Sequence, residues 1–466
     1  MNHSVLNNLI PDIERLAETK ISAHRIPGLA LGIIRDQELA WFGGFGAGDL
    51  DSGRTPNQHS IARVASVTKT FTMTAIMQLR DKGLLALDDP LVEYIHEFAS
   101  ADAQADPVLG VTLRRLLTHR SGLVTEPPTQ GWGTLNFPSR QEILDKLPTT
   151  GIVIEQDSAF KYSNLAFALL GEVVQRLSDM PYTEYVLANI IKPLGLESTV
   201  YDLTAELQPH FLVGYNPTPY QDRPERAPYA HLNGLTAAGQ LHSTVNDLAK
   251  WIAFQFRTTS TEEVNSSHTM VLNKRTLAET HQPQYIEADW SAGQCLGWRA
   301  TRIGNRVYHN HGGGIHGFGT QVWFNVPSRT GAVVLINMWP PHGGLELASE
   351  VLEMVLDADE ATPSPPAQPT LEPTPDALKR FLGHYYADPG LHANIEYRDG
   401  KLRLAGHGGA SYALHAPAEL EPTDKPNEWL VRGGRASGET AVFAFHPNGE
   451  VLSYELGAFV FRKLDG

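Results

Sequence analysis

Ser66 and Lys69 stand three positions apart in the stretch Arg63-Val64-Ala65-Ser66-Val67-Thr68-Lys69-Thr70-Phe71-Thr72-Met73. The stretch reads as the opening of a helix, and on a helix that spacing puts both side chains on one face. A serine hydroxyl is a weak nucleophile and needs a nearby base and a site for the oxyanion that develops on attack. The first helical turn supplies free N–H groups and the positive end of the dipole. A lysine whose charge is disfavoured can accept or relay a proton. The chemistry implied is nucleophilic acyl transfer. S-x-x-K alone is a frequent coincidence, and a second match runs from Ser158 to Lys161. Ser158 follows a polar loop and opens no helix, and Lys161 reads as an ordinary solvated lysine.

Two further groups of residues join Ser66. Tyr162-Ser163-Asn164 precedes an apolar helix, so the phenol lies at a loop-to-helix junction from which it can face a pocket. There Tyr162, pushed toward phenolate by lysines, could take the Ser66 proton, while Asn164 could hold the lysine or a substrate amide. A second Y-x-N, Tyr308-His309-Asn310, falls on a strand, where Tyr308 reads as a packing residue. The run His309-Asn310-His311-Gly312-Gly313-Gly314-Ile315-His316-Gly317 is the most unusual of the chain. Its glycines permit close backbone approach and can present N–H groups to an oxyanion. The run also matches G-x-G-x-x-G, but a strand rather than a helix follows, so the dinucleotide reading fails its context. His309, His311, His316 and His119 invite a metal, yet no neighbouring Asp, Glu or H-E-x-x-H pattern completes a site. No metal and no cofactor are expected. The nucleophile elbow G-x-S-x-G is absent from the sequence.

The elements that must position these residues are legible in outline. An amphipathic helix over about 5–24 comes first, then strands at Gly28–Ile34 and Glu38–Phe42, then the Ser66 helix, ending near Gly83. A mostly helical middle follows, including a loop rich in Pro, Gly and Trp from Pro127 to Thr150, apolar helices over 164–177 and 182–191, and a helix running through Trp251. Thr244 and Asp247 fit a capping box at the start of that last helix. Strands return at 306–308, 320–325 and 331–337, and Leu345–Leu356 reads as a final helix. This order predicts an α+β fold, an antiparallel sheet assembled from both ends of a domain with helices inserted between and around. A proline-rich linker over 358–375 separates this unit, 1–357, from short alternating strands over 376–466. The second unit has hairpin signals at Asp399-Gly400 and Asn448-Gly449 and reads as a small all-β barrel or sandwich.

Composition narrows the class. With 466 residues, 42% apolar content and a formal net charge of −15, the chain reads as a globular, acidic protein, and neither nucleic acid nor an anionic membrane is its expected partner. Cys295 is the single cysteine, which excludes an intrachain disulfide and a thiolate cluster and reads as structural. The first residues lack a basic segment followed by an apolar one, and no apolar run is long enough to span a bilayer. A cytoplasmic protein acting on a small molecule or short peptide is the expectation. The oligomeric state stays open, a homo-oligomer included.

The ordered set Ser66-Val67-Thr68-Lys69, Tyr162-Ser163-Asn164 and His311-Gly312-Gly313 resembles the serine β-lactamase and penicillin-binding-protein superfamily. It is most similar to class C β-lactamases and their D-aminopeptidase, D-peptidase and family VIII-type esterase relatives. Leu116–Leu123 and Ala237–Leu241 also resemble segments of that group, and the resemblance covers about residues 5 to 357. Residues 376–466 resemble the lipocalin-like barrel appended to several D-peptidase-like members. The resemblance implies that Ser66 is acylated, that Lys69 and Tyr162 move the proton, and that Asn164 orients Lys69 and substrate. It also implies an oxyanion hole from the N–H groups of Ser66 and Gly314. One departure is His311-Gly312-Gly313 where β-lactamases usually carry Lys-Thr-Gly. Without that ammonium and hydroxyl, efficient β-lactam hydrolysis is not expected. The reading is a serine hydrolase of esters, amides or D-amino-acid peptides; weak β-lactamase or penicillin-binding activity, or a catalytically silent ligand-binding protein of the same fold, are the alternatives.

Overall fold

The computed structural model describes residues 3–100, 102–103, 110–218, 223–259, 271–341, 343–360, 374–388, 391–398, 400–407, 417–434 and 436–464. Most of the proline-rich linker, and Asp399 of one hairpin signal, lie outside these residues.

The sheet is built from both ends of the first unit, as the order of elements predicts. Its strands are β1 (Gly28–Arg35), β2 (Glu38–Gly46), β3 (Tyr285–Ile286), β4 (Ala292–Gln294), β5 (Arg299–Ile303), β6 (Arg306–Ile315), β7 (Phe318–Asn325) and β8 (Thr330–Ile336). They lie in the order β2-β1-β8-β7-β6-β5-β4-β3, every pairing antiparallel. Both faces are covered, so the period of two along a strand sorts its side chains into two cores. On β1, Leu29, Leu31 and Ile33 join one apolar cluster and Ala30 and Ile34 the other. The first cluster is closed by α1 (His3–His24), through Leu6, Ile13 and Ala17, and by the late helix Leu347–Glu360, through Val351, Leu352 and Val355. Lys20 bonds Glu346 at 2.8 Å and Glu350 at 2.9 Å across this pair of helices.

The second cluster holds the helices that matter for the site. The Ser66 segment enters as a 3-10 turn, Ala65–Val67, and continues as α2, Thr68–Asp81. Phe71 of α2 stacks on Trp251 with ring centroids 4.0 Å apart, and the Trp251 indole donates to Thr70 Oγ1 at 3.1 Å. The expected capping box at the Trp251 helix is half formed. Thr244 accepts from Asp247 N, but the Asp247 carboxylate turns to Ser198 N at 2.7 Å and Thr199 Oγ1 at 2.9 Å. A tertiary claim on the carboxylate outcompetes the local one.

The C-terminal strands close into an eight-stranded barrel from Gly383 to Lys463. Its interior is filled by side chains including Phe381, Tyr385, Trp429, Val431, Phe443 and Tyr454, so the barrel is a packed core. The Asn448-Gly449 signal falls on the turn between two of its strands, with Gly449 at φ +88°. One turn of the barrel, 436–439, rests on the first unit. A Cβ on Gly438 would meet Ile154 Cγ2 at 2.4 Å, and Glu439 reaches Lys161. Among the described residues no helix is long and apolar enough to cross a membrane.

Candidate active site

From Ile61 to Leu79 every residue is buried except Ser66. The turn that presents Ser66 holds Ala65 at φ +46°, a region an L-residue enters only when its surroundings force it. The forcing contact is β6. Its residues 311–315 run past the last residue paired with β5, Asn310, and the edge so left open packs against the Ala65–Val67 turn. A Cβ on Gly313 would meet the Val64 carbonyl oxygen at 2.1 Å, and one on Gly314 would sit inside the Trp339 ring, 1.6 Å from its nearest atom. The glycines therefore lie within a strand, not in a loop after one, and two of them are required by close approach.

The structure brings Ser66, Lys69, Tyr162 and Asn164 together. Tyr162 Oη donates to Ser66 Oγ at 2.7 Å, and Lys69 Nζ donates to Ser66 Oγ at 3.2 Å. Lys69 also donates to Asn164 Oδ1 at 2.8 Å and to the Ala238 carbonyl at 2.7 Å, which fixes its head group although its side chain is fully buried. Ala238 belongs to the Ala237–Leu241 segment, which explains why that segment accompanies the motif. Tyr162 and Asn164 are aimed by the start of the helix Asn164–Ser178. Ser163 is its N-cap, accepting from Ala166 N at 2.9 Å and donating to the Val124 carbonyl at 2.7 Å.

Several supports of this cluster went unread in the sequence. His119 stacks on the Tyr162 ring, centroids 4.4 Å apart, and its Nδ1 accepts from Ser163 N at 3.1 Å, which leaves the ring proton on Nε2. Glu126 Oε1 accepts from Asn164 Nδ2 at 2.6 Å. Trp132, from the Pro- and Gly-rich loop, lines the cleft at Ser66 with Asn164, Leu232, Leu235, Gly314 and Ile315. The cleft is narrow, about 20 Å³, room for about one water. His119 left a trace in the Leu116–Leu123 segment and Trp132 in the Pro127–Thr150 loop; Glu126 left none.

Lys161 corrects the expectation of a solvated lysine. Its side chain has no exposed surface and ion-pairs with Glu439 of the barrel, while donating to Thr125 Oγ1 at 2.8 Å. The four histidines do not converge. His309 bonds the His281 carbonyl at 2.8 Å, His316 packs on Trp132, and His119 lies under Tyr162. Among the described residues no group of three His, Cys, Asp or Glu is placed to hold a metal. Tyr308 is fully buried and packs on Trp323, away from the cleft.

His311 lies on the open edge of β6, its Nδ1 bonded to the Gly312 carbonyl at 2.7 Å. Loss of hydration and then the Lys69 ammonium lower its pKa to about 3, so the ring is neutral at pH 7. The third motif thus contributes a neutral imidazole within the field of Lys69.

This fold is that of the serine beta-lactamase and penicillin-binding-protein superfamily. The sequence profile of the beta-lactamase family matches residues 13–355, and the chain belongs to that family. A beta-lactamase-like protein of Homo sapiens is 26% identical over 440 residues, covering 89% of this chain and 81% of its own length. A penicillin-binding protein of Bacillus subtilis (strain 168) is 25% identical over 421 residues, covering 84% of this chain and 86% of its own. The solved octameric penicillin-binding protein homologue from Pyrococcus abyssi superposes with a TM-score of 0.64 at 20% identity, spanning 97% of this chain and 100% of that one, barrel included.

Proposed function

We propose that this chain hydrolyses a carboxylic ester or a small amide or peptide, D-amino-acid peptides included, through an acyl-enzyme on Ser66. The observation that carries the reading is the Ser66 Oγ atom, which has Tyr162 Oη at 2.7 Å and Lys69 Nζ at 3.2 Å. In this mechanism the member of the Tyr162–Lys69 pair that is unprotonated takes the hydroxyl proton as Oγ bonds to the substrate carbonyl carbon, and the other steadies the charge. The N–H groups of Ser66 and of Gly314 face the oxyanion. Collapse breaks the bond to the leaving oxygen or nitrogen, which departs with the proton. Water then adds to the acyl carbon, gives its proton to the same pair, and displaces Ser66 Oγ, which is reprotonated. Asn164 holds Lys69, and His311, Gly312 and Gly313 lie along the bound substrate.

The neutral His311 argues for esters and amides over β-lactams, because the third motif brings no cation to a β-lactam carboxylate. A retained nucleophile with both proton carriers argues against a silent binding protein. We read the first unit as the hydrolase unit and 376–466 as the barrel unit; the linker expected over 358–375 starts later than that, because the last helix of the first unit runs to Glu360. The assembly named for the Pyrococcus abyssi protein extends the reading to a homo-oligomer, which sedimentation would measure directly.

Intact-mass analysis after a fluorophosphonate probe tests the nucleophile. Wild type gains one adduct and Ser66→Ala gains none. No adduct on wild type, or an equal one on the variant, overturns the mechanism. A panel of p-nitrophenyl esters, D-aminoacyl amides and nitrocefin then sorts the substrates.

A further inference from the structure

Arg63 stands three residues before Ser66 and is 1% exposed. Burying a guanidinium without an anion is costly, and the other buried cations of the site are provided for. Lys69 has three oxygen acceptors and Lys161 has Glu439. Arg63 forms no ion pair among the described residues. Its Nη2 reaches Gln240 Oε1 at 3.3 Å, the Tyr229 ring lies 4.8 Å from its central carbon, and its Nε has no partner. Neither histidine next to it can supply a negative charge. Burial first and then Arg63 itself hold His242 at about 3 and His316 at about 4.

Arg63 lines a cavity of about 480 Å³ together with Phe211, Arg226, Tyr229, His316 and Phe318, and its guanidinium lies over the Tyr229 ring of that lining. Asp49 also borders it, but its carboxylate is held by its own loop, by Tyr215 Oη at 3.3 Å and by Arg226 at 3.5 Å. The cavity adjoins the serine's cleft along two segments. Ile315 lines the cleft and His316, the next residue, lines the cavity. Leu232 lines the cleft, and its N–H donates at 3.0 Å to the same Gln240 oxygen that receives Arg63. Trp132 of the cleft packs on His316 with centroids 5.8 Å apart.

We propose that this cavity is a carboxylate subsite. The substrate it fits is an ester or amide carrying a free carboxylate a short apolar spacer away from the scissile carbonyl. The carboxylate pairs with Arg63, and Phe211 and Phe318 flank the spacer. This rests on the reading of Ser66 as the nucleophile and adds the substrate's class to it.

Mono-p-nitrophenyl glutarate and its methyl ester are a matched pair that differs by one charge. Wild type prefers the acid in kcat/KM by at least about tenfold, as a desolvated charge pair requires. The acid-to-ester ratio falls at least about tenfold in Arg63→Gln and is partly recovered in Arg63→Lys. Arg226→Glu, at an exposed rim position, lowers the ratio through KM and keeps the test open where Arg63→Gln does not fold. Free glutarate competes with the neutral ester on wild type. A wild-type ratio near one, a ratio unmoved by both Arg63→Gln and Arg226→Glu, or no competition by glutarate overturns the subsite. Loss of the Ser66 adduct overturns the nucleophile instead, so the two failures are distinguishable.

Discussion

Lys161 and Glu439 form an ion pair between residues 278 positions apart in the chain, with the lysine side chain fully buried and the glutamate 24% exposed. Lys161 is the residue before Tyr162. Glu439 also accepts from Thr125 Oγ1 at 3.1 Å, and the Thr125 carbonyl accepts from Asn164 N at 2.7 Å. One carboxylate of the barrel is thereby tied to both sides of the loop that aims Tyr162 and Asn164 at Ser66 and Lys69.

Glu439→Gln therefore leaves a buried ammonium beside the loop that carries Tyr162 and Asn164. We expect a loss of about 3 kcal/mol in stability, the lower end of the range for a broken buried pair because Glu439 keeps some contact with water. The acylation rate falls with it, whereas Lys161→Met with Glu439→Leu recovers most of both, since an apolar pair replaces a buried ionic one at little cost. Thermal melts and single-turnover rates on the two singles and the double decide this. Purely additive losses would show that the pair is not coupled.

Tyr162→Phe removes the hydroxyl nearest to Ser66 and keeps the ring that stacks on His119. A drop in kcat of about 10²–10⁴ is expected from losing one proton carrier, with the melting temperature within a few degrees of wild type. His119→Ala keeps the hydroxyl but takes away the stacking partner and the acceptor for Ser163 N, so its loss in kcat is smaller and its loss in stability larger. Equal kcat for wild type and Tyr162→Phe would remove Tyr162 from the mechanism.

The motif residues of the site were legible because each motif is local: three positions on a helix, two on a helix start, three on a strand. The assembly of the sheet from both ends of the unit was legible for a similar reason, since apolar periods and turn residues mark strands at both ends. What could not be read is what the fold alone brings together. Lys161 looks solvated until a glutamate from the barrel arrives, and Asp247 looks like a cap until Ser198 and Thr199 claim it. Arg63, Glu126 and Trp132 carry no spacing signal at all. The two-residue and three-residue strands β3 and β4 are too short to show a period.

Acid should weaken the fold through its buried histidines. His242, His309 and His316 are buried and titrate at about 3, 4 and 4, in each case because burial disfavours the charged ring. Unfolded histidines titrate near 6.5, so below about pH 6.5 the unfolded chain binds protons that the folded chain refuses. The stability these rings contribute is complete above that pH and is lost as pH falls. Asp247 and Glu353, whose pKa values are raised by burial, act in the opposite sense, and buried His281, held well below its ordinary value, acts with the three rings. Allowing about 1 kcal/mol per pH unit for each ring, the fold loses about 4 kcal/mol between pH 6.5 and 5. Urea titrations across this range measure the slope, and His309→Gln should reduce it by about one proton. A flat profile would place charged rings in the folded protein.

Gly314 tests whether the third motif acts through space or through chemistry. A methyl group there would penetrate the Trp339 ring, which is 9% exposed and has packed neighbours, so neither side yields cheaply. Gly314→Ala should cost about 2–3 kcal/mol by overpacking and displace the strand edge that faces Ser66. Fluorophosphonate labelling then slows even at temperatures where the protein is folded. Trp339→Leu in the same chain removes the colliding ring and should restore part of the stability. If labelling returns with it, the glycine serves to let the strand edge approach the serine. Stability restored without labelling would instead assign the Trp339 ring itself to holding that edge in register with the Ser66 turn.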